Sequence, residues 1–134
     1  NKQLLQSMCL AIKTHEGWFE GSRSWRNNNP GNARFSRVGY LAKYGTVRED
    51  RFNVKAGQQG FAIFKDYSTG YMYLQNLVLE KCRKHPDWSL RQFFGDLKDG
   101  WAPASDGNDS KRYAKVVADA MRVDPVTWRI GNLL

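Results

Sequence analysis

The chain has 134 residues, 41% of them hydrophobic, which suits one domain with one core, and we expect residues 1–134 to form that domain. No segment approaches the roughly 18 unbroken apolar residues of a membrane span, and the short, polar N-terminus does not resemble a signal peptide. With 21 basic residues against 13 acidic ones, the net charge of +8 predicts attraction to a polyanion: nucleic acid, an anionic membrane or the bacterial cell wall.

A first helix is predicted over Lys2–His15, because apolar residues recur on one face at helical spacing. These residues are Leu5, Met8, Cys9 and Ile12. Glu16 continues the same face, and Gly17 after it is a usual helix stop. The next thirty residues are rich in glycine and asparagine and predict an irregular loop, with a short helix near residues 40–44.

A small β-hairpin is predicted between Arg48 and Phe64, where apolar and polar residues alternate on both sides of Ala56-Gly57. The alternating apolar residues of its two arms are Phe52, Val54, Phe61 and Ile63. The hairpin is the single β element that the sequence predicts.

Three further helices are predicted. The second helix starts at Ser68 and ends at His85-Pro86, the third begins at a capping box formed by Ser89 and Gln92, and the fourth ends at Asp124-Pro125. Their inward-facing residues are predicted to be Tyr71, Leu74, Leu77, Val78 and Cys82, then Leu90, Phe93, Phe94 and Leu97, then Tyr113, Val116, Val117, Ala120 and Met121. The expected fold class is therefore α+β, predominantly α, with one small hairpin.

Cysteine and histidine are scarce. Cys9 and Cys82 are too few for a disulfide scaffold or a zinc cluster, and two readings stay open: two buried thiols, or one disulfide bridge. With only His15 and His85 and no clustered acids, the sequence predicts no metal site, and we expect no cofactor.

Glu16 lies on an apolar helix face beside Trp18 and Phe19. Desolvation raises the pKa of a carboxyl group, so such a side chain can hold a proton near neutral pH and donate it to a leaving group. The general acid of glycosidic cleavage has this requirement. The alternative is that Glu16 turns outward and is simply solvated.

A second carboxylate is the usual companion of a glycosidase acid. The candidates nearest in the sequence are Glu20, Glu49 and Asp50. A one-acid mechanism is also open, in which the acid protonates the glycosidic oxygen and then acts as base while the C6 hydroxyl of the sugar attacks, giving an anhydro product.

Amide side chains supply candidate substrate contacts. Asn29 and Asn32 flank Pro30-Gly31, a type II turn signal, and are predicted to face a cleft where amides can hold N-acetyl groups. Gln59 in the hairpin is a candidate for the same role, although an exposed turn is the simpler interpretation.

Three segments together resemble the superfamily of lytic transglycosylases and goose-type lysozymes, over about residues 5–124. They read HEGWFEGSRSWRNNNPGNARF, GFAIFKDYSTGYMYL and WAPASDGNDSKRYAKVVADAM. The resemblance implies a lysozyme-like fold and peptidoglycan cleavage, with Glu16 as catalytic acid and Tyr113 lining its pocket. The chain departs from the transglycosylase pattern of Glu-Ser followed by Gly-Leu-Met-Gln, and it lacks the Asp that follows Glu-Gly in phage lysozymes.

These observations predict a muramidase that cleaves the β-1,4 bond between MurNAc and GlcNAc. A lytic transglycosylase is slightly favoured over a hydrolase, because the loop after Glu16 lacks a second acid. Expected partners are peptidoglycan glycan strands and anionic cell-wall polymers, and the expected location is the cell envelope or periplasm, or a phage virion. We expect a monomer.

The rival interpretation is a basic module without catalysis, which binds the cell wall or nucleic acid. In this interpretation the positive charge and the aromatic residues serve binding, and Glu16 has no catalytic role. Nucleic acid is the weaker of its two partners, because the sequence contains no helix-turn-helix, zinc-finger or RNA-binding aromatic motif.

Overall fold

The computed structural model of the protein describes residues 1–35, 41–95, 97–102 and 107–134. Over these residues the chain is predominantly helical and carries a two-stranded antiparallel sheet, so the α+β class with a predominance of α is confirmed. In chain order the elements are α1 (Lys2–His15), α2 (Arg23–Arg26), a 3₁₀ turn (Ala42–Tyr44), β1 (Arg48–Asp50), β2 (Phe61–Ile63), α3 (Tyr67–Lys84), α4 (Leu90–Phe93), α5 (Ser110–Met121) and a second 3₁₀ turn (Ile130–Leu133).

The described residues cluster into two compact units. The terminal unit contains Asn1–Ala11 and Leu77–Leu134, and the central unit contains Ile12–Asn76. The expectation of one domain over residues 1–134 stays a prediction. Within the described ranges, none of the helices is long and apolar enough to cross a membrane.

The bounds of the longer helices agree closely with the sequence. The first helix, α1, ends at His15 as predicted, and α3 begins at Tyr67, one residue before its predicted start. The short helix predicted near residues 40–44 corresponds to the 3₁₀ turn Ala42–Tyr44, while residue 40 itself lies outside the described residues.

The terminal unit is organised around an apolar core. Helices α4 and α5 pack against each other, and the rings of Phe94 and Tyr113 stack with centroids 4.3 Å apart. The buried side chains of this unit include Leu5, Met8, Cys9, Val78, Cys82, Leu90, Phe93, Phe94, Tyr113, Ala114, Val117, Ala118, Met121, Ile130 and Leu133. Burial of this apolar surface is the main stabilising term available to the unit.

Helix α4 begins at the predicted capping box. The hydroxyl of Ser89 accepts the backbone N–H of Gln92 over 3.2 Å, and the Gln92 side chain accepts the backbone N–H of Ser89 over 2.8 Å. The helix ends at Phe93, earlier than predicted, with Phe94 as its C-cap. Leu97 is 46% exposed, so its predicted inward position was wrong, because helical spacing no longer applies beyond the C-cap.

Helix α5 buries a face that overlaps the predicted one, since Tyr113, Val117 and Met121 are buried as predicted. Its buried residues are Tyr113, Ala114, Val117, Ala118 and Met121. Val116 and Ala120, predicted to face inward, are exposed. Small alanine side chains permit close approach of the neighbouring chain, so the buried face is rotated toward them and away from the valine.

Both cysteines lie in the terminal unit, as buried free thiols. Of the two readings that the sequence left open, the structure has the two thiols and no bridge between them. Burial raises the pKa of Cys9 to about 12 and that of Cys82 to about 11, because a thiolate loses its hydration there.

The central unit contains the hairpin, which is shorter than predicted. Strands β1 and β2 pair antiparallel, with Arg48 opposite Ile63 and Asp50 opposite Phe61. The predicted strand residues Phe52 and Val54 lie instead in the connecting loop.

A turn explains why β1 stops at Asp50. The Val54 N–H donates to the Arg51 carbonyl oxygen over 3.1 Å, and Asn53 between them has φ +56°. Asparagine tolerates this left-handed conformation better than most residues, so the chain bends where the alternating pattern predicted extension.

Candidate active site

Glu16 lies directly after the last residue of α1, in the central unit. Its backbone N–H donates to the Ile12 carbonyl oxygen over 2.9 Å, so it extends the helical hydrogen bonding by one residue. Gly17 then adopts φ +82°, a left-handed conformation that ends the helix. The Glu16 side chain is half-buried, and it therefore lies neither in the core nor fully in solvent.

An aromatic cluster, formed by Trp18, Tyr67 and Tyr71, contacts Lys13 in the last turn of α1. The Trp18 and Tyr67 rings meet edge to face with centroids 5.2 Å apart, and Tyr71 lies 6.0 Å from Tyr67. The Lys13 ammonium is 4.9 Å from the centroids of the Trp18 and Tyr67 rings and donates to the Tyr67 hydroxyl over 3.2 Å. These contacts hold the chain on both sides of Glu16.

Asn29 was predicted to face a cleft, and the structure corrects this. It is 1% exposed, and its amide nitrogen donates to the carbonyl oxygens of Ala33 and Ala62, each over 2.9 Å. Its side-chain oxygen accepts the Ala33 N–H over 3.0 Å. Both amide hydrogens are used inside the protein, so Asn29 fastens its loop to β2 and has no donor left for a substrate.

Asn32 is half-buried and has φ +47°. Its side-chain oxygen is buried and has no hydrogen-bond partner among the described residues. Buried acceptors of this kind usually bind a donor, so Asn32 keeps the capacity for a hydrogen bond that the described chain does not supply.

The other two predicted contacts lie in different surroundings. Gln59 is exposed in the loop between β1 and β2, and its backbone carbonyl accepts a hydrogen bond from Arg34 over 2.9 Å. Tyr113 belongs to the terminal unit, where it is 1% exposed and stacked on Phe94. Tyr113 is therefore a core residue of that unit, and its predicted place beside Glu16 stays a prediction.

Two of the three candidates for the second carboxylate, Glu20 and Glu49, are poorly suited to act as a catalytic base or nucleophile. Glu20 is exposed. Glu49 accepts hydrogen bonds from Arg51 over 2.8 Å and from the Gly60 N–H over 2.7 Å, and these contacts join the two ends of the hairpin loop. Its carboxylate is thus part of the hairpin structure.

Asp50 is the third candidate, and its side chain is 15% exposed. Its Oδ2 atom accepts the Asn27 amide over 2.9 Å and lies 3.1 Å from the Nε atom of Arg23. Its Oδ1 atom accepts the Phe52 N–H over 3.0 Å.

These contacts determine the ionisation of Asp50. Burial pushes its pKa upward, but the hydrogen bonds from Asn27 and from the Phe52 backbone lower it. The positive charges of Arg23 and Arg26 lower it further, and the pKa of Asp50 stays below its ordinary value of 3.8. Asp50 is therefore a firmly ionised carboxylate.

A cavity of about 380 Å³ opens beside the hairpin of the central unit. It is lined by Arg26, Asn27, Asp50, Phe52 and Ile63. A larger cavity, of about 600 Å³, lies in the terminal unit near the start of α5. Since that larger cavity contains none of the carboxylates under consideration, we assign the candidate site to the central unit.

The sequence did not predict Lys13, Arg23, Arg26 or Tyr67 as residues of the site. Arg23 and Arg26 lie on α2, a four-residue helix whose signal was the N-cap Ser22 before it. Lys13 and Tyr67 are 54 residues apart in the chain, so no local pattern connected them.

In comparisons with protein-family models, curated proteins and solved structures, no match to this chain was found. Among the residues that the structure describes, no group of three or more histidine, cysteine, aspartate or glutamate side chains could hold a metal ion.

Proposed function

We propose that this protein is a peptidoglycan-cleaving muramidase, with Glu16 as its general acid and base. The observation that carries the proposal is the position of Glu16. It is half-buried, it directly follows α1, and it precedes Gly17, whose left-handed conformation ends the helix. A partly desolvated carboxyl group suits proton donation to a leaving group. The resemblance of the sequence to lytic transglycosylases and goose-type lysozymes supports the same assignment.

The reaction begins with protonated Glu16. It gives its proton to the glycosidic oxygen as the bond between that oxygen and C1 of MurNAc breaks, and GlcNAc leaves with a free 4-hydroxyl group. Positive charge develops on C1 and the ring oxygen. In a transglycosylase the C6 hydroxyl oxygen of MurNAc then bonds to C1 and passes its proton to the Glu16 carboxylate, which regenerates the acid. In a hydrolase, water takes the place of this hydroxyl.

We favour the transglycosylase reaction, because none of the three candidate second carboxylates suits the role of a base or nucleophile. Glu20 is exposed, and Glu49 is committed to Arg51 and Gly60. Asp50 has a lowered pKa and both oxygens in hydrogen bonds, and a carboxylate with a low pKa is a weak base. A mechanism with one acid needs none of them.

The basic surface supports the proposed partners, peptidoglycan strands and anionic cell-wall polymers in the envelope or at a virion. A net charge of +8 concentrates the protein on such polymers. Because exposed charges are screened over about 8 Å at physiological salt, binding to sacculi should weaken steeply as salt is added.

The direct test is loss of turbidity by purified sacculi. We expect Glu16→Gln to reduce cleavage by about 10²–10⁴-fold, the usual contribution of a general acid, with unchanged thermal unfolding. Glu20→Gln, an exposed glutamate four residues later, is the matched control and should cleave like the wild type. Full activity of Glu16→Gln would reject the assignment.

The non-catalytic module is the second candidate, and exposed aromatic residues of the central unit favour it. Phe19 is 66% exposed, Trp25 41% and Phe52 68%. Such rings suit a binding surface for sugar faces. Salt-sensitive binding to sacculi by the wild type, without any loss of turbidity or release of fragments, would decide for this candidate.

A further inference from the structure

We infer that the cavity beside the hairpin binds the carboxylate of a muramyl peptide, with Arg26 as the group that recognises it. The inference rests on the proposed function and deepens it, since it names the peptide-bearing part of the glycan as substrate. The cavity lies in the central unit and is lined by Arg26, Asn27, Asp50, Phe52 and Ile63.

Arg26 differs from Arg23 and Arg51, which are both engaged within the central unit. Arg23 contacts Asp50 and the Phe52 carbonyl oxygen, and Arg51 binds Glu49. The Arg26 side chain makes no hydrogen bond or ion pair with any residue that the structure describes, although its charge reaches Asp50. An exposed guanidinium that is not yet engaged, at the wall of a cavity, is available to an anionic ligand.

The charges of the cavity favour an anion. Arg23 lies 3.1 Å from Asp50, so one guanidinium already compensates this carboxylate. Arg26 then leaves the cavity with an excess positive charge. Guanidinium and carboxylate groups form paired, charge-assisted hydrogen bonds, which are stronger than those between neutral groups.

The apolar lining distinguishes between two sources of anion in a cell wall. Phe52 and Ile63 present apolar surface to the cavity. A muramyl peptide carries methyl groups on its lactyl, acetyl and alanyl parts, close to its carboxylates, whereas a polyol phosphate chain carries none. We therefore assign the carboxylate of the muramyl peptide and not a phosphodiester.

The Phe52 backbone is held in place before any ligand arrives. Its N–H donates to Asp50 over 3.0 Å, and its carbonyl oxygen accepts a hydrogen bond from Arg23. The Arg23 guanidinium also lies 5.8 Å from the Phe52 ring centroid. A binding surface that is already ordered loses less conformational entropy on binding.

Titration of the full chain with N-acetylmuramyl dipeptide, followed by NMR or calorimetry, tests the inference without requiring catalysis. Arg26→Gln should weaken binding about tenfold or more, as expected for loss of a charge-assisted hydrogen bond. Arg26→Lys should restore part of the affinity. Arg48→Gln, an exposed arginine on β1 that does not line the cavity, is the matched control and should bind like the wild type.

Two further ligands complete the experiment. The dipeptide with its carboxylate converted to an amide should bind to the wild type as weakly as the free acid binds to Arg26→Gln. Equal affinity for acid and amide would overturn the inference, and so would tighter Arg26-dependent binding of glycerol phosphate. Arg26-dependent binding of the dipeptide by a wild-type protein that cleaves no sacculi would reject the proposed reaction and retain the binding site.

Discussion

Both units of this chain bury apolar side chains, but the central unit also depends on buried side-chain amides. The terminal unit buries a continuous set of apolar side chains, including Leu90, Phe93 and Val117 at 0% exposure. In the central unit, side-chain amides join the loop after α2 to the segment around β2. Asn29 donates to the carbonyl oxygens of Ala33 and Ala62, and Asn28 donates to the Phe64 carbonyl oxygen over 3.1 Å.

This difference matters for function. An apolar core offers a substrate little chemistry, whereas a framework of amides and carboxylates leaves polar groups near the surface at fixed positions. In the central unit, Asp50 and Asn27 illustrate this, because they are hydrogen-bonded to each other and both line the cavity beside the hairpin.

The thiols of the terminal unit should be almost unreactive in the folded protein. Burial raises the pKa of Cys9 from 9.0 to about 12, so its thiolate fraction at pH 8 should fall about a thousandfold. Reaction with a disulfide reagent should therefore be very slow until the protein is unfolded in guanidinium, when two thiols should react. Rapid labelling of the native protein would contradict a dry terminal core.

Truncation of an apolar side chain should damage the terminal unit most. Phe93→Ala should lower the free energy of unfolding by about 4 kcal/mol, because it removes a fully buried ring and leaves a cavity. Leu97→Ala, at a position that is 46% exposed, should change it by less than about 0.5 kcal/mol. Urea unfolding measures both, and equal losses would show that the core extends to Leu97.

Removal of one amide should damage the central unit by a comparable amount. Asn29→Ala should cost about 3 kcal/mol, because the Ala62 carbonyl oxygen and the Ala33 N–H lose their bonds to Asn29 and the Ala33 carbonyl oxygen keeps only the Ala62 N–H. Gln58→Ala, in the exposed hairpin loop, is the control and should be nearly neutral. If Asn29→Ala unfolds like the wild type, side-chain amides do not organise this unit.

The smallest effect is a change in acid sensitivity. Asp50 has a lowered pKa in the folded state, so it stabilises the fold above the ordinary aspartate pKa of 3.8, and this contribution fades as pH falls through the lowered value. Asp50→Asn should cost about 1 kcal/mol at pH 7 and should lose less further stability than the wild type below about pH 4.

Asp87→Asn, an exposed aspartate of the terminal unit, is the control for this titration. It should unfold with the same dependence on pH as the wild type. Identical acid unfolding of the wild type and Asp50→Asn would show that the contacts of Asp50 do not stabilise the folded state.

Local signals in the sequence predicted most of the elements. The end of α1 at a glycine, the capping box of Ser89 and Gln92, and the position of the hairpin depend on residues within a few positions of one another. Such features follow from backbone sterics and local hydrogen bonds, and a single sequence contains them.

The errors depend on contacts between distant residues. The Asn29 amide reaches Ala62, 33 positions away, and that bond decides that Asn29 is buried. The left-handed conformation of Asn53 bends the chain after β1, although apolar and polar residues continue to alternate there in the sequence. The C-terminal turn Ile130–Leu133 carried no cap or periodic signal of its own, and backbone bonds to Trp88 and Pro86 hold it.

For the candidate site, the sequence predicted which carboxylates to consider, but it did not predict which of them could act as a base. Glu16 was identified by its place on an apolar face, which local spacing shows. The choice among Glu20, Glu49 and Asp50 required their partners, because hydrogen bonds and neighbouring charges decide whether a carboxylate is basic.

The most direct measurement is the mass of the fragments that the protein releases from purified sacculi. We expect muropeptides ending in 1,6-anhydro-MurNAc from the wild type, and no fragments above background from Glu16→Gln. Fragments with reducing ends would show that the protein is a hydrolase and not a transglycosylase. Equal release of fragments by both proteins would contradict the role of Glu16.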